Sequence, residues 1–102
     1  AAQAVAKELK NENKKFILVF NSFEDKNYKE VLRILKPYIS EVLIIKCDDS
    51  RIVNNAILEE TVKDLSLNVN PFDIMNINDK NYYLVFGSFL VVENFLKGYN
   101  RV

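Results

Sequence analysis

Residues 82–96 read YYLVFGSFLVVENFL. The run from Tyr82 to Phe86 is short, aromatic and β-branched, which predicts a strand. Beyond Gly87-Ser88, residues Phe89, Val92, Leu96 and Tyr99 recur at helical spacing. They predict a helix over 89–97, with Ser88 as its N-cap and Gly98 as its stop. A strand thus turns straight into a helix through Gly-Ser. That turn either holds a ligand or merely ends a strand.

The same unbroken apolarity recurs upstream in FILVF at 16–20 and VLII at 42–45. Strands without alternation are covered on both faces, as in parallel sheets. Helical patterns separate them. Residues 27–36 place Tyr28, Val31, Leu32 and Leu35 on one face, with Asn27 and Glu30 set as a capping box and Pro37 beyond. Residues 52–66 carry Val53, Ala56, Ile57, Leu58, Thr61, Val62 and Leu65, with Ser50 as the expected cap. Residues 2–10 form a shorter helix around Val5, Ala6 and Leu9. The stretch NVNPFDIMNINDKN at 68–81 predicts at most a short strand around 72–75, held to a sheet edge by Pro71 and the Asn-rich flanks. The order predicts an α/β fold: a three-layer Rossmann-like domain with a mainly parallel sheet flanked by helices. The chain opens in a helix rather than a strand, so residues 1–102 are expected to be one domain cut from something longer.

Composition removes several function classes. The 102 residues suit one domain, and 49 % hydrophobic content supplies a core. Fourteen Lys+Arg balance fourteen Asp+Glu, so no basic field draws nucleic acid. No apolar run approaches the roughly 20 residues that span a bilayer. The N-terminus, AAQAVAKELKNENKK, is amphipathic and unlike a signal peptide. Cys47 is the single cysteine and histidine is absent, which excludes an internal disulfide, the usual zinc spacings and any His-paired nucleophile. A cytoplasmic chain without self-contained catalytic machinery is expected.

In a parallel sheet, ligands bind at the carboxyl ends of the strands. This gathers NSFEDK at 21–26, KCDDSR at 46–51 and Gly87-Ser88 onto one rim, each ahead of a helix N-terminus suited to an anion. Asp25 and Lys26 contact a substrate or partner domain, or form a solvated turn. Asp48 and Asp49 are too few ligands for Mg²⁺ by themselves. Arg51 either clamps a carboxylate or phosphate, or pairs with its acidic neighbours. Gly87 serves close approach or an unusual backbone angle. Cys47 reads as a half-buried structural thiol. With glycine only at 87 and 98, neither G-x-x-x-x-G-K-[ST] nor G-x-G-x-x-G is present, so the chain has no phosphate loop of its own.

The stretches FILVFNSFEDKNYKEVLRILKPYISEVLIIKCDDSR and YYLVFGSFLVVENFL resemble the C-terminal domain of folylpolyglutamate synthase/dihydrofolate synthase, in the Mur ligase superfamily. The matching features are Asp25-Lys26, Leu35-Lys36-Pro37, Arg51 and Gly87-Ser88-Phe89, in order across about residues 5–98. The chain departs from the family pattern at Asn21-Ser22, where Gly is common, at Asn27 in place of a second Asp, at Ser50 before the Arg, and in the shortened 71–81 stretch. The resemblance implies a parent enzyme that joins folate or dihydropteroate to glutamate through an acyl phosphate. It implies ATP and Mg²⁺, held mainly by an N-terminal ATPase domain of the same parent chain, which residues 1–102 are expected to lack. Arg51, Ser88 and Gly87, then Asp25 and Lys26, are the implied substrate-binding or domain-closure residues. No catalytic residue and no metal ligand is implied on this chain, and the fragment alone is expected to be inactive.

Two other classes stand beside this. A free-standing receiver-like or ligand-binding regulatory module needs a phosphorylatable Asp at a central strand end, which Asp48 and Asp49 loosely imitate. Glu24-Asp25, however, comes several residues late for an acidic pocket. A structural interaction domain would pair through an exposed sheet edge.

Overall fold

The computed structural model describes residues 1–100. Helix α1 (Ala2–Leu9) leads into strand β1 (Phe16–Asn21), then α2 (Tyr28–Leu35), a 3₁₀ turn (Lys36–Tyr38) and β2 (Ile39–Ile44). Helix α3 (Asn55–Asp64), β3 (Asn68–Pro71), a second 3₁₀ turn (Ile74–Asn76), β4 (Tyr83–Gly87) and α4 (Phe89–Tyr99) complete the chain. The strands form one sheet in the order β3-β2-β1-β4, and every pairing is parallel. The expected three-layer α/β architecture is what the chain adopts.

Period-two geometry divides the apolar strands between two cores. Leu18 and Phe20 of β1, with Val42 and Ile44 of β2, face one side and pack against Leu9, Leu32, Leu35, Leu58 and Val62 of α1, α2 and α3. Val19 and Ile45 face the other side, where Val91 and Phe95 of α4 cover them together with Phe72. Helices cover both faces of β1 over its carboxyl half, Leu18–Asn21, which is why FILVF carries no polar alternation. The fully buried Leu and Val side chains each contribute about 1.5–3 kcal/mol to holding these layers together.

The sheet order places a topological switch. From β1 the chain winds outward through β2 to β3, then returns to the far side of β1 as β4. The crevice of such a sheet opens between the carboxyl ends of β1 and β4.

Local departures from the sequence reading have identifiable causes. The edge strand lies at 68–71, ahead of the expected 72–75, and ends at Pro71. Pro71 has no N–H to give the ladder, and Asp73 instead accepts a bond from the Met75 N–H (3.0 Å) to start a 3₁₀ turn. Helix α3 begins at Asn55, and its cap is Asn54, whose Oδ1 accepts from the Ala56 N–H (2.9 Å), in place of Ser50. The reason is that Ile52 forms an antiparallel bridge with Phe23, and the Val53 N–H donates to the Ser22 carbonyl (3.0 Å), so 52–53 are extended. Asn27 caps α2 as expected, accepting from the Glu30 N–H at 3.4 Å. The Glu30 carboxylate turns away to Arg33 (2.7 Å), so the reciprocal half of the capping box is not made. Gly98 does not stop α4, which continues to Tyr99. The Phe89, Val92, Leu96 and Tyr99 series faces outward, because Val91 and Phe95 already occupy the contact with the sheet.

Candidate functional site

At the switch point lies a hollow of about 540 Å³. Its walls are built by the first two turns of α2, which follow β1 directly. Asn27, Glu30, Val31 and Ile34 line it at i, i+3, i+4 and i+7 spacing, one face of a helix. Phe86, Gly87, Ser88 and Phe89 supply the opposite wall, Ser22, Phe23 and Lys26 the loop side, and the start of α1 closes the top. A second hollow, about 400 Å³, lies on the face of the sheet between Ile17, Leu43 and Tyr83 and the 70–81 stretch, away from the carboxyl ends of β1 and β4. Parallel α/β sheets bind at the carboxyl ends, so the 540 Å³ hollow is the candidate site.

Gly87 is set by contact with β1. Its φ is +141°, a region that residues with a Cβ avoid. A Cβ added there would overlap the carbonyl oxygen of Asn21 and approach Cγ2 of Val91 to 3.0 Å. Asn21 itself is fully buried. Its Nδ2 donates to the Ile45 carbonyl at 2.7 Å, and its Oδ1 accepts from the Ser22 N–H at 2.8 Å. One amide thus ties the ends of β1 and β2 and sets the exit of the loop that carries Lys26. From the sequence Asn21 was placed on the rim loop at 21–26 and noted as a departure from the family pattern, without this role. A polar residue at the end of an apolar central strand was the available signal.

Ser88 occupies the N-cap position of α4, yet its side chain caps nothing. Its Oγ is buried and has no hydrogen-bond partner, so the expected side-chain cap is corrected. The free N–H groups of the first α4 turn remain at the rim, with the positive end of the helix dipole.

Arg51 stands on the outer side of Phe23. Its guanidinium lies 4.4 Å from the centroid of the Phe23 ring, and Phe23 lines the hollow from within. Asp49 accepts from Arg51 three times: from Nε (3.0 Å), Nη2 (2.8 Å) and the backbone N–H (2.9 Å). These bonds hold the Asp49 carboxyl down to about 2, the side-chain bonds being the largest cause and the backbone bond the next. The Arg51 pKa is raised, first by the side-chain bond with Asp49, then by its charge, with Asp25 adding to the effect. Arg51 is exposed and Asp49 half-buried, so the pair organises the loop more than it stabilises the fold. The loops after β1 and β2 are joined further by the Glu24 N–H, which donates to the Arg51 carbonyl at 2.8 Å.

The structure therefore brings Lys26, Gly87 and Ser88 together around one hollow. It leaves Asp25 exposed on the tight turn closed by the Lys26 N–H to Phe23 carbonyl bond (3.1 Å), and sets Arg51 beside it outside the Phe23 ring. Lys26 is exposed and makes no ion pair among the described residues. Asp49 is engaged by Arg51, and among the described residues no three His, Cys, Asp or Glu side chains converge to hold a metal. Cys47 is half-buried, and burial is the main reason that its thiol pKa is pushed up, with the nearby Asp48 and Asp49 charges adding and a bond with Asn94 opposing. Asn27, Glu30, Val31 and Phe86 were read from the sequence as cap, helix-face and strand residues and Ile34 was not read at all, so none was expected in the site, although the α2 spacing made its hollow-facing residues available.

Among the described residues, no helix is long and apolar enough to cross a membrane. A scan against protein-family models gives no match, and comparison with curated protein sequences gives none either. A solved structure is similar: Helicobacter pylori folylpolyglutamate synthetase, with a TM-score of 0.93 and 36 % identity, over 99 % of this chain and 26 % of that one. The chain thus spans about a quarter of the length of that enzyme. The resemblance read from Asp25-Lys26, Leu35-Lys36-Pro37, Arg51 and Gly87-Ser88-Phe89 is a real similarity of sequence and fold.

Proposed function

We propose that this chain is the C-terminal domain of a cytoplasmic, ATP-dependent folate–glutamate ligase. The observation that carries this reading is the 36 % identity and 0.93 TM-score to a folylpolyglutamate synthetase over 99 % of the chain. The parent enzyme would condense the carboxylate of a folate, or of dihydropteroate, with the amine of glutamate. ATP supplies the activation: the carboxylate takes the γ-phosphoryl group to give an acyl phosphate and ADP. The amine then displaces inorganic phosphate and loses a proton as the amide forms. Binding of ATP and Mg²⁺ is assigned mainly to an N-terminal ATPase domain, in line with the missing phosphate loop here.

This domain then supplies half of a site. Lys26, without an ion pair among the described residues, places a cation at the rim of the hollow that the N-terminal turn of α4 also lines. Together they favour an anionic ligand or intermediate. Phe23, Phe86, Phe89 and Ile34 give apolar walls, which would exclude water and strengthen those charge interactions once the ATPase domain covers the open hollow. Gly87 lets β4 close tightly on β1, and Ser88 contributes through its backbone, since its Oγ is turned inward. Arg51 and Asp25 sit one shell further out and are assigned to contact with the ATPase domain on closure. In the resting arrangement Arg51 is held by Asp49, so engagement of a ligand carboxylate requires exchange of that partner. The receiver-like alternative is weakened by the same pair, because it leaves Asp49 tied up.

The test is an assay of the parent polypeptide. With ATP, Mg²⁺, glutamate and a folate or dihydropteroate, one ADP and one phosphate are expected per amide formed. Formation of AMP and pyrophosphate, or no glutamate incorporation with either acceptor, would overturn the reading.

A further inference from the structure

Helix α4 carries a second apolar face that the domain leaves largely uncovered, although Tyr99 stacks on Phe95 (5.9 Å between ring centroids). Phe89, Val92, Leu96 and Tyr99 are 76 %, 41 %, 48 % and 54 % exposed. They are four of the seven exposed large hydrophobic residues among the described residues, and their spacing of three, four and three puts them on one flank. Scattered exposed apolar residues are ordinary, but a contiguous stripe marks a surface that meets something. The helix is fixed from the other direction. Val91 and Phe95 pack on the sheet, while Asn94, Lys97 and Gly98 face Ile45, Phe72 and Ile74 toward β2 and β3. The stripe consequently looks outward on the side of β4, the edge strand of the sheet.

The occupant is indicated by size and by position. The similar synthetase is about four times the length of this chain, so a body roughly three times larger accompanies this domain there. The stripe is also continuous with the candidate site, since Phe89 lines the switch-point hollow. Ala1 lines the same hollow, so a body joined ahead of α1 meets the Phe89 end of the stripe first. We propose that the Phe89–Val92–Leu96–Tyr99 flank of α4 is the seat on which the remainder of the parent chain packs in cis. This rests on the reading of the chain as one domain of a longer ligase. It adds that the contact runs along α4 from the hollow outward, instead of being confined to the loops at 21–26 and 46–51.

Hydroxyl-radical footprinting of the full-length parent tests it, with Tyr82 as the internal reference. Tyr82 and Tyr99 are the same residue type and are 52 % and 54 % exposed in this domain, so without a cover they oxidise at similar rates. The seat predicts that Tyr99 oxidises about five-fold more slowly than Tyr82, or slower still, as a side chain at an interface core does. In a Val92→Asp, Leu96→Asp double variant of the full chain the two rates should become equal, with the far-ultraviolet circular dichroism unchanged. Equal rates in the unaltered parent would overturn the proposal. So would protection of Tyr99 that disappears on dilution, which would make the cover a second copy. The footprint needs no turnover, so a parent that shows the protection but no ATP-dependent glutamate incorporation would refute the ligase assignment and leave the seat standing.

Discussion

Gly87 and Asn21 meet across the β1–β4 pair so closely that a Cβ on Gly87 would overlap the Asn21 carbonyl oxygen. Gly87 lines the switch-point hollow, Asn21 is fully buried beside it, and each has a separable role. The backbone of Asn21 fixes how near β4 can come, and its side chain ties β1 to β2.

Gly87→Ala combines an unfavourable φ with steric overlap against backbone, which cannot rotate away. We expect a loss of about 2–4 kcal/mol of unfolding free energy. Urea denaturation of the domain measures it, and a change below about 0.5 kcal/mol would show that β4 can shift at no cost.

Asn21→Leu keeps the branched outline, with bulkier methyl groups, and removes the amide. The Ile45 carbonyl and the Ser22 N–H lose their partner inside the protein. Each orphaned group costs about 1–3 kcal/mol, so a marked destabilisation is expected. Asn21→Asp should be harmful too, because a carboxylate cannot donate to the Ile45 carbonyl. Thermal unfolding compared across the two variants checks this, and stability equal to that of the unaltered chain in either would contradict the clamp.

The Asp49–Arg51 pair predicts a specific titration. The Asp49 carboxyl is held at about 2 against an ordinary 3.8, so its folded-state pKa is depressed. The contribution of the pair is therefore present above the ordinary value and is lost as the pH falls through about 2. Carbon-detected NMR titration should find the low value in the unaltered chain and a return toward the ordinary one in Arg51→Ala. A normal Asp49 pKa in the unaltered chain would mean that Arg51 is free.

Cys47 should be a sluggish nucleophile. Burial raises its pKa, so little thiolate is present at neutral pH. Alkylation by iodoacetamide at pH 7 should be slower than for a free cysteine, and should accelerate in Asn94→Ala only if opening of the site outweighs loss of the bond that lowers the pKa.

Much of the fold was legible because its strands are buried on both faces. FILVF, VLII and YYLVF carry no alternation, and a parallel sheet is what covers such segments. Boundaries failed where a tertiary contact overrode local preference. The start of α3 moved from the region of Ser50 to Asn54 because the Phe23–Ile52 bridge stretches the backbone between them, and no local pattern encodes that pairing. The rim was also legible, since topology alone puts the loops at 21–26, 46–51 and 87–88 on one edge. Which rim residues share the hollow was not. That depends on Phe23, which lines the hollow with one side of its ring and carries Arg51 at 4.4 Å. The outward face of α4 was hidden for another reason. A helix apolar on nearly all sides gives no period that distinguishes the face on the sheet from the face left over.

The central claim is that the switch-point hollow forms half of a ligase active site, and Lys26 is the residue to test. Steady-state kinetics of the Lys26→Ala parent, against the unaltered enzyme, measure this directly. A fall in kcat/KM of roughly 10- to 100-fold with thermal stability unchanged is predicted, as for loss of one well-placed cation at a site closed by the second domain. Unaltered kcat and KM for ATP, glutamate and the folate acceptor would contradict it, and would reduce the hollow to a crevice left by the folding of the sheet.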